Sequence, residues 1–419
     1  MKNLQLSRRE ILQLSALAGG GLMIPGLFSG RAEGQLLQEP EPHYFLMIQI
    51  PGGWDTTLGV DPWLEEQMPD QKDLFIEYSK DQIFRYENLA MGPACEPLNK
   101  FADRVSIING IFLSPVDNGH EAAQLYIESG STLGGCPSLA VELSYATKAG
   151  PFGILANGGV VVGSRPLSVT NLDSLRSVSE AELPQYLKRF LELFEGSSPL
   201  INAQKSIVAT ALQVDQIARA VEKLQEEGVE ITNGHLAGIA FQAGVSFSGE
   251  IRYNEVFLDT HSGHRGDHLR DQKKGFQFVA DTFDFFKSLP IGTSGKSLFD
   301  CTTFMVTSEF SRTAALNGAG GKDHNALVNS VLLAGKGVRG GQMVGRSKLI
   351  KKAQSKIGQS YQIAMPFDFK TGQAVDSKDG TSFIFPEQVA RTLAEIMKVD
   401  WERFKTVPQK TQFLRSIVL

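Results

Sequence analysis

The stretch that decides the fold reads YFLMIQI over residues 44–50, followed by Pro51-Gly52-Gly53-Trp54-Asp55. Gln49 is the only polar member of the run from Tyr44 to Ile50. Alternate residues of a strand face opposite ways, so an almost continuous apolar run predicts a strand buried on both faces of a parallel sheet. The Pro-Gly-Gly turn ends it. Asp55 then falls just past its carboxyl end, where open α/β sheets place ligand-binding groups.

Further strands are expected over 104–110, 158–163, 255–258, 302–307 and 326–334. Helices are expected over 122–128, ending at Gly130, and over 179–195, 199–228, 233–245 and 268–289. A last helix is expected over 386–397, with Pro386 at its first turn. The recurring strand–loop–helix order predicts an α/β chain, a three-layer α/β/α sandwich around a mostly parallel sheet. The mostly helical block at about 170–245 is expected to be an insertion within one domain spanning 44–419.

Composition narrows the class. The chain of 419 residues is 42% hydrophobic and 21% charged, which excludes wholesale disorder and coiled coil. A net charge of −5 with no basic stripe argues against nucleic acid and against a polybasic membrane contact. Cys95, Cys136 and Cys301 are too few and too scattered for a disulfide framework or a CxxC zinc site. No apolar run reaches the ~18 residues of a membrane span.

The amino end carries its own signal. Ser7-Arg8-Arg9-Glu10-Ile11-Leu12-Gln13 precedes a weakly apolar run from Leu12 to Phe28, broken by Gly19-Gly20-Gly21 and Pro25. This resembles a twin-arginine export signal, with Ile11 and Gln13 standing where the pattern has Phe and Lys. The resemblance implies a signal over 1–34, cleaved within 29–35 near Ala32, and a linker over 35–43. It also implies the twin-arginine translocase as a partner and a periplasmic or extracellular destination. Substrates of this route cross folded, often already carrying a metal, so no essential disulfide is expected.

Acidic and imidazole residues gather at the expected strand ends: Asp55, the segment Asp259-Thr260-His261-Ser262-Gly263-His264, Glu309, and Asp323-His324. Carboxylates and neutral imidazoles are ligands for zinc, manganese and related ions. Glu309 directly follows an apolar strand, where an unpaired carboxylate is costly. Arg312, three residues on, suits either pairing with Glu309 or bidentate capture of an anion. His120 falls at a helix start, where backbone N–H groups favour an anion, and reads equally as ligand, general base or cap. His43 and His235 read as structural.

Six motifs in order resemble the uncharacterised domain-of-unknown-function 1501 family. They begin at Pro51 (PGGWDTT), Gly119 (GHEAAQ), Leu258 (LDTH), Ser308 (SEFSRT), Gly321 (GKDH) and Gly335 (GKGVRGG). That family is similar to the alkaline phosphatase and sulfatase superfamily. The resemblance implies its α/β/α sandwich and a metal-dependent cleavage of phosphate or sulfate esters. It implies divalent metal, zinc, manganese or calcium, held by Asp55, Asp259, His261, His264, Glu309, Asp323 and His324. It implies catalytic roles for His120 and Arg312 on a small anionic ester. The superfamily's Ser, Thr or Cys nucleophile position falls on His120, and Ser308-Glu309 stands where the superfamily has Asp-His. Those departures leave a second expectation open, a non-catalytic binding or assembly protein on the same scaffold.

Overall fold

The computed structural model describes residues 41–63, 74–113, 119–133, 135–147, 150, 152–163, 169–173, 175, 199–292, 295–354, 360–376, 382–404, 407–408 and 410–419. The export signal expected over 1–34 and the helix expected over 179–195 lie outside the described residues.

Eight strands form the central sheet. They are β1 (Tyr44–Gln49), β2 (Val105–Ile111), β3 (Ile154–Ala156), β4 (Val169–Asn171), β5 (Ser248–Arg252), β6 (Thr302–Thr307), β7 (Asn329–Gly335) and β8 (Gln342–Val344). Their order is β8-β2-β7-β6-β1-β5-β3-β4. β7 is antiparallel to β6 and β2, and every other pairing is parallel.

The apolar run that opens the sheet is buried on both faces. Tyr44, Leu46 and Ile48 of β1, with Ile50 just beyond it, join one core cluster, and Phe45 and Met47 join the other. The first core is roofed by α3 (Pro199–Glu226), α4 (Asn233–Gln242), α5 (Asp267–Ser288) and the 3₁₀ segment Pro93–Arg104. The second is roofed by α1 (His120–Ser129), α2 (Leu139–Ala146) and α6 (Pro386–Met397). The result is a three-layer α/β/α sandwich. In α5, Phe276, Val279, Phe283 and Phe286 recur at helical spacing and turn one stripe inward. Leu236, Ile239 and Phe241 of α4 enter that same core, so α4 packs as part of the helical layer.

Three expected strands are displaced. Residues 158–163 form no strand, and the sheet uses Ile154–Ala156 instead. Residues 255–258 are irregular, and the strand is Ser248–Arg252. That strand reads as polar because Gly249 packs under Leu46 while Glu250 and Arg252 enter a polar network between sheet and helices. The strand expected over 326–334 begins at Asn329 and runs against its neighbours.

The topology sets the site. β1, β2, β5 and β6 are parallel to one another, so their carboxyl ends share one edge, and antiparallel β7 brings its amino end there too. That edge carries the loop to Asp55, the approach to His120, the loop of Asp259, the turn after β6 and the segment of Asp323-His324.

Candidate metal centre

Two loops are zipped together first. Lys322 N–H donates to the Thr260 carbonyl (3.0 Å), His264 N–H to the Gly320 carbonyl (3.1 Å), and Asn317 Nδ2 to the His261 carbonyl (3.0 Å). Gly321 is needed here, because a Cβ would sit 2.0 Å from the His261 carbonyl carbon. Next to them, Ser311–Arg312 pairs with His324–Asn325 in a short antiparallel ladder. The Gly52-Gly53 turn closes over this ladder at positive φ of 107° and 75°, with Phe310 where a Cβ on Gly53 would lie.

The centre of the site is one oxygen. Asp259 Oδ1 lies 3.4 Å from His120 Nε2, 3.2 Å from His261 Nε2 and 3.3 Å from His324 Nε2. His261 Nε2 and His324 Nε2 are 2.9 Å apart. Among the described residues, His120, Asp259 and His324 are the group whose ligand atoms all fall within 4.8 Å of one another. Donors held about 2.0–2.2 Å from a tetrahedral zinc stand roughly 3.3–3.6 Å from each other, which is close to this spacing. The Phe310 ring packs against His120 and His324, at 4.8 and 4.4 Å between centroids, and forms a dry wall behind them.

The far nitrogens are equally informative. His120 Nδ1 is 2.6 Å from Glu309 Oε1, and His261 Nδ1 is 3.4 Å from Asp323 Oδ1. A carboxylate on Nδ1 holds the proton there and leaves Nε2 with its lone pair toward the centre, the usual outer shell of a metal-bound imidazole. Glu309 is itself fixed by Gly52 N–H at 2.9 Å and by the Ser308 hydroxyl at 2.8 Å. Burial pushes the Glu309 carboxyl up, but these partners outweigh it and hold it below the ordinary range. The bond to Glu309 raises the His120 imidazole against burial. For Asp259 burial opposes ionisation, yet the Arg312 guanidinium brings the carboxyl down to about 2.

Arg312 does not face an incoming anion. Its side chain is fully buried. Nε donates to the Gly53 carbonyl, Nη1 to the Lys322 carbonyl, and Nη2 to the Gly52 carbonyl and Asp259 Oδ1. It braces two loops and one carboxylate.

Asp55 and His264 form a separate network. Asp55 is fully buried and accepts from the Lys322 ammonium, from Thr57 N–H and hydroxyl, and lies 3.3 Å from His264 Nε2. Burial alone would push its carboxyl up, but the Lys322 charge and the two imidazoles hold it well below the carboxylate range. His264 and His268 share the Thr260 hydroxyl at 2.8 Å each, and burial pushes both imidazoles below their ordinary range. Of the nine expected site residues, the structure gathers His120, Asp259, His261 and His324 around one point, with Glu309, Asp323 and Arg312 one contact behind. Asp55 and His264 stand apart with Lys322. Sequence reasoning passed over Lys322, although a lysine flanked by glycines and an Asp-His pair has the composition of a buried turn that needs a carboxylate partner.

A family profile described as "Protein of unknown function (DUF1501)" matches residues 289–361, a span that holds Glu309, Arg312, Asp323 and His324. No curated protein matches the chain. Among solved structures, it is similar to a protein in the alkaline phosphatase superfamily from Vibrio parahaemolyticus, at 8% identity, covering 82% of this chain and 72% of that one, with a TM-score of 0.29. It is also similar to a sulfatase from Pseudoalteromonas sp., at 11% identity, 73% and 65% coverage and a TM-score of 0.30. A third is the phosphonate monoester hydrolase of Agrobacterium radiobacter, at 11% identity, 73% and 70% coverage and a TM-score of 0.27.

Proposed function

We propose that the chain is an exported, metal-dependent hydrolase of phosphate or sulfate esters, built on a single divalent-ion site held by His120, Asp259 and His324. The observation that carries this reading is the convergence of these donors within 4.8 Å, with Glu309 on the far nitrogen of His120. The donor set fits such an ion: two imidazoles and one carboxylate, partly open to solvent, with an oriented outer shell. An imidazole-rich set suits zinc or manganese better than calcium, which prefers oxygen ligands throughout.

When bound, a divalent ion supplies Lewis acidity toward an ester oxygen and toward water. The remaining chemistry belongs to the chain. His261, half-exposed at the rim, offers Nε2 to take a proton from an attacking water, and Asp323 behind Nδ1 steadies the imidazolium that forms. Arg312 holds the Asp259 carboxylate ionised and the Gly52-Gly53 turn in place. With histidine at the head of α1 where a hydroxyl or thiol nucleophile would stand, direct attack by water is the route these residues support.

The test is a panel of aryl phosphate, phosphodiester and aryl sulfate substrates, offered with zinc and with manganese to the parent chain and to His261→Ala. Turnover that falls in the variant supports the reading. No turnover of any substrate by metal-loaded protein would favour a binding or assembly protein on the same scaffold, a reading favoured by the internal engagement of Arg312. For location, Arg8-Arg9 ahead of a weak apolar run supports export through the twin-arginine translocase, and among the described residues no helix is long and apolar enough to cross a membrane.

A further inference from the structure

A second cluster of ionisable groups lies away from the metal centre, between the sheet and the helices α1 and α2. Glu128 of α1 and Glu250 of β5 are both buried, with Gln49 of β1 between them. Glu128 Oε1 accepts from Gln49 Nε2, from Gln124 Nε2 and from Arg252 Nη2, the last at 3.2 Å. Glu250 Oε1 receives the other proton of the Gln49 amide at 3.2 Å and lies 3.7 Å from Arg252 Nη2. Its Oε2 meets no hydrogen-bond donor among the described residues.

Charge does not balance if both carboxyls ionise. Among the described residues Arg252 is the one cation in contact with the pair, and its guanidinium is also tied to the Gly159 carbonyl at 3.2 Å. At the N-cap of α2, Ser138 lies beside Glu250, and the buried Glu142 lies one turn further along that helix. β3 on the other side of β5 offers only Ile154, Leu155 and Ala156. Glu309 adds a further negative field at Glu128. Two carboxylates that share one guanidinium in a dry site cannot both stay charged without a large desolvation cost.

We propose that Glu128 and Glu250 hold a single proton between them, resident on Glu250, and that this protonated pair fastens α1 to β5. Glu128 has the three donors and the nearer guanidinium, so it takes the charge. Glu250 has the unpartnered oxygen and complete burial, so it takes the proton. Burial, with Glu128 beside it, pushes the Glu250 carboxyl up to about 8. Above that pH a second negative charge appears at the α1–β5 junction, between the helix that begins at His120 and the strand that leads to Asp259. The pair is then a latch that loosens in alkali. It stands whether or not the metal centre turns over an ester.

The folded state keeps this proton where the unfolded chain has lost it. Stability therefore falls as pH rises from the ordinary Glu range to about 8, and levels off above. Glu250→Gln keeps the shape without the titration. Its melting temperature is expected to rise relative to the parent as pH goes from 5 to 8, and α1 amides are expected to exchange more slowly than the parent's at pH 9 but equally at pH 6. An infrared band of a protonated carboxyl at pH 7 should be present in the parent and missing in Glu250→Gln. Should Glu250→Gln not fold, Glu128→Gln serves: Arg252 then belongs to Glu250 alone, and the band should vanish at pH 7. Melting curves that run parallel across pH in parent and variant, or a parent spectrum that loses no band on substitution, would overturn the proposal.

Discussion

Glu309 and His120 are joined at 2.6 Å across 189 residues of sequence, carboxylate to Nδ1, which aims the opposite nitrogen of the imidazole at Asp259. Glu309 lies in the turn after β6 and His120 opens α1, so the bond also ties the two segments that frame the site. Its function is orientation. Replacing it with Glu309→Gln keeps the shape and removes the charge that fixes the tautomer. Zinc affinity is expected to drop by ~10–100-fold, measured by competition with a chromophoric chelator. Unchanged affinity would remove Glu309 from the centre.

His261 is expected to serve the chemistry more than the metal. His261→Ala should keep its ion and lose turnover by ~10²–10⁴-fold. If the variant instead loses the ion, His261 is a fourth ligand, and the base must be sought elsewhere.

The pair Asp55–Lys322 makes a different prediction, about stability. Both side chains are fully buried. Lys322→Met strands a buried carboxylate and is expected to cost about 3–5 kcal/mol in denaturant unfolding. Adding Asp55→Asn should recover part of that loss, since the isolated charge is gone. A double variant no more stable than the single one would show that the two side chains are not coupled.

Much of this was readable in the sequence, for reasons the residues make plain. The run Tyr44–Ile50 is apolar on both faces because both faces are buried, so its place in a parallel sheet followed directly. The neighbourhood of Asp259 and Glu309 was readable because parallel strands bring their carboxyl ends to one edge, and His324 reaches the same edge at the amino end of antiparallel β7. What escaped was cross-talk among loops. Asp55 has the position of a ligand, but its charge is satisfied by Lys322, 267 residues away. Arg312 has the chemistry of an anion binder, but its guanidinium is used up by backbone carbonyls. β5 escaped because its polar residues are buried by partners on three other elements, which no periodicity records. The antiparallel course of β7 likewise depends on a pairing between distant segments.

Export has its own check. With Arg8 and Arg9 both changed to Lys, precursor is expected to accumulate in the cytoplasm, followed by fractionation and immunoblot. Normal export of the double variant would contradict the twin-arginine reading.

The central claim, a divalent ion at His120, Asp259 and His324, is tested most directly by elemental analysis of protein purified without chelator. The expected result is about one zinc or manganese per chain, retained through gel filtration and lost from an Asp259→Ala, His324→Ala double variant that still folds. Folded parent protein that carries no ion, and takes up neither zinc nor manganese when they are supplied, would contradict it.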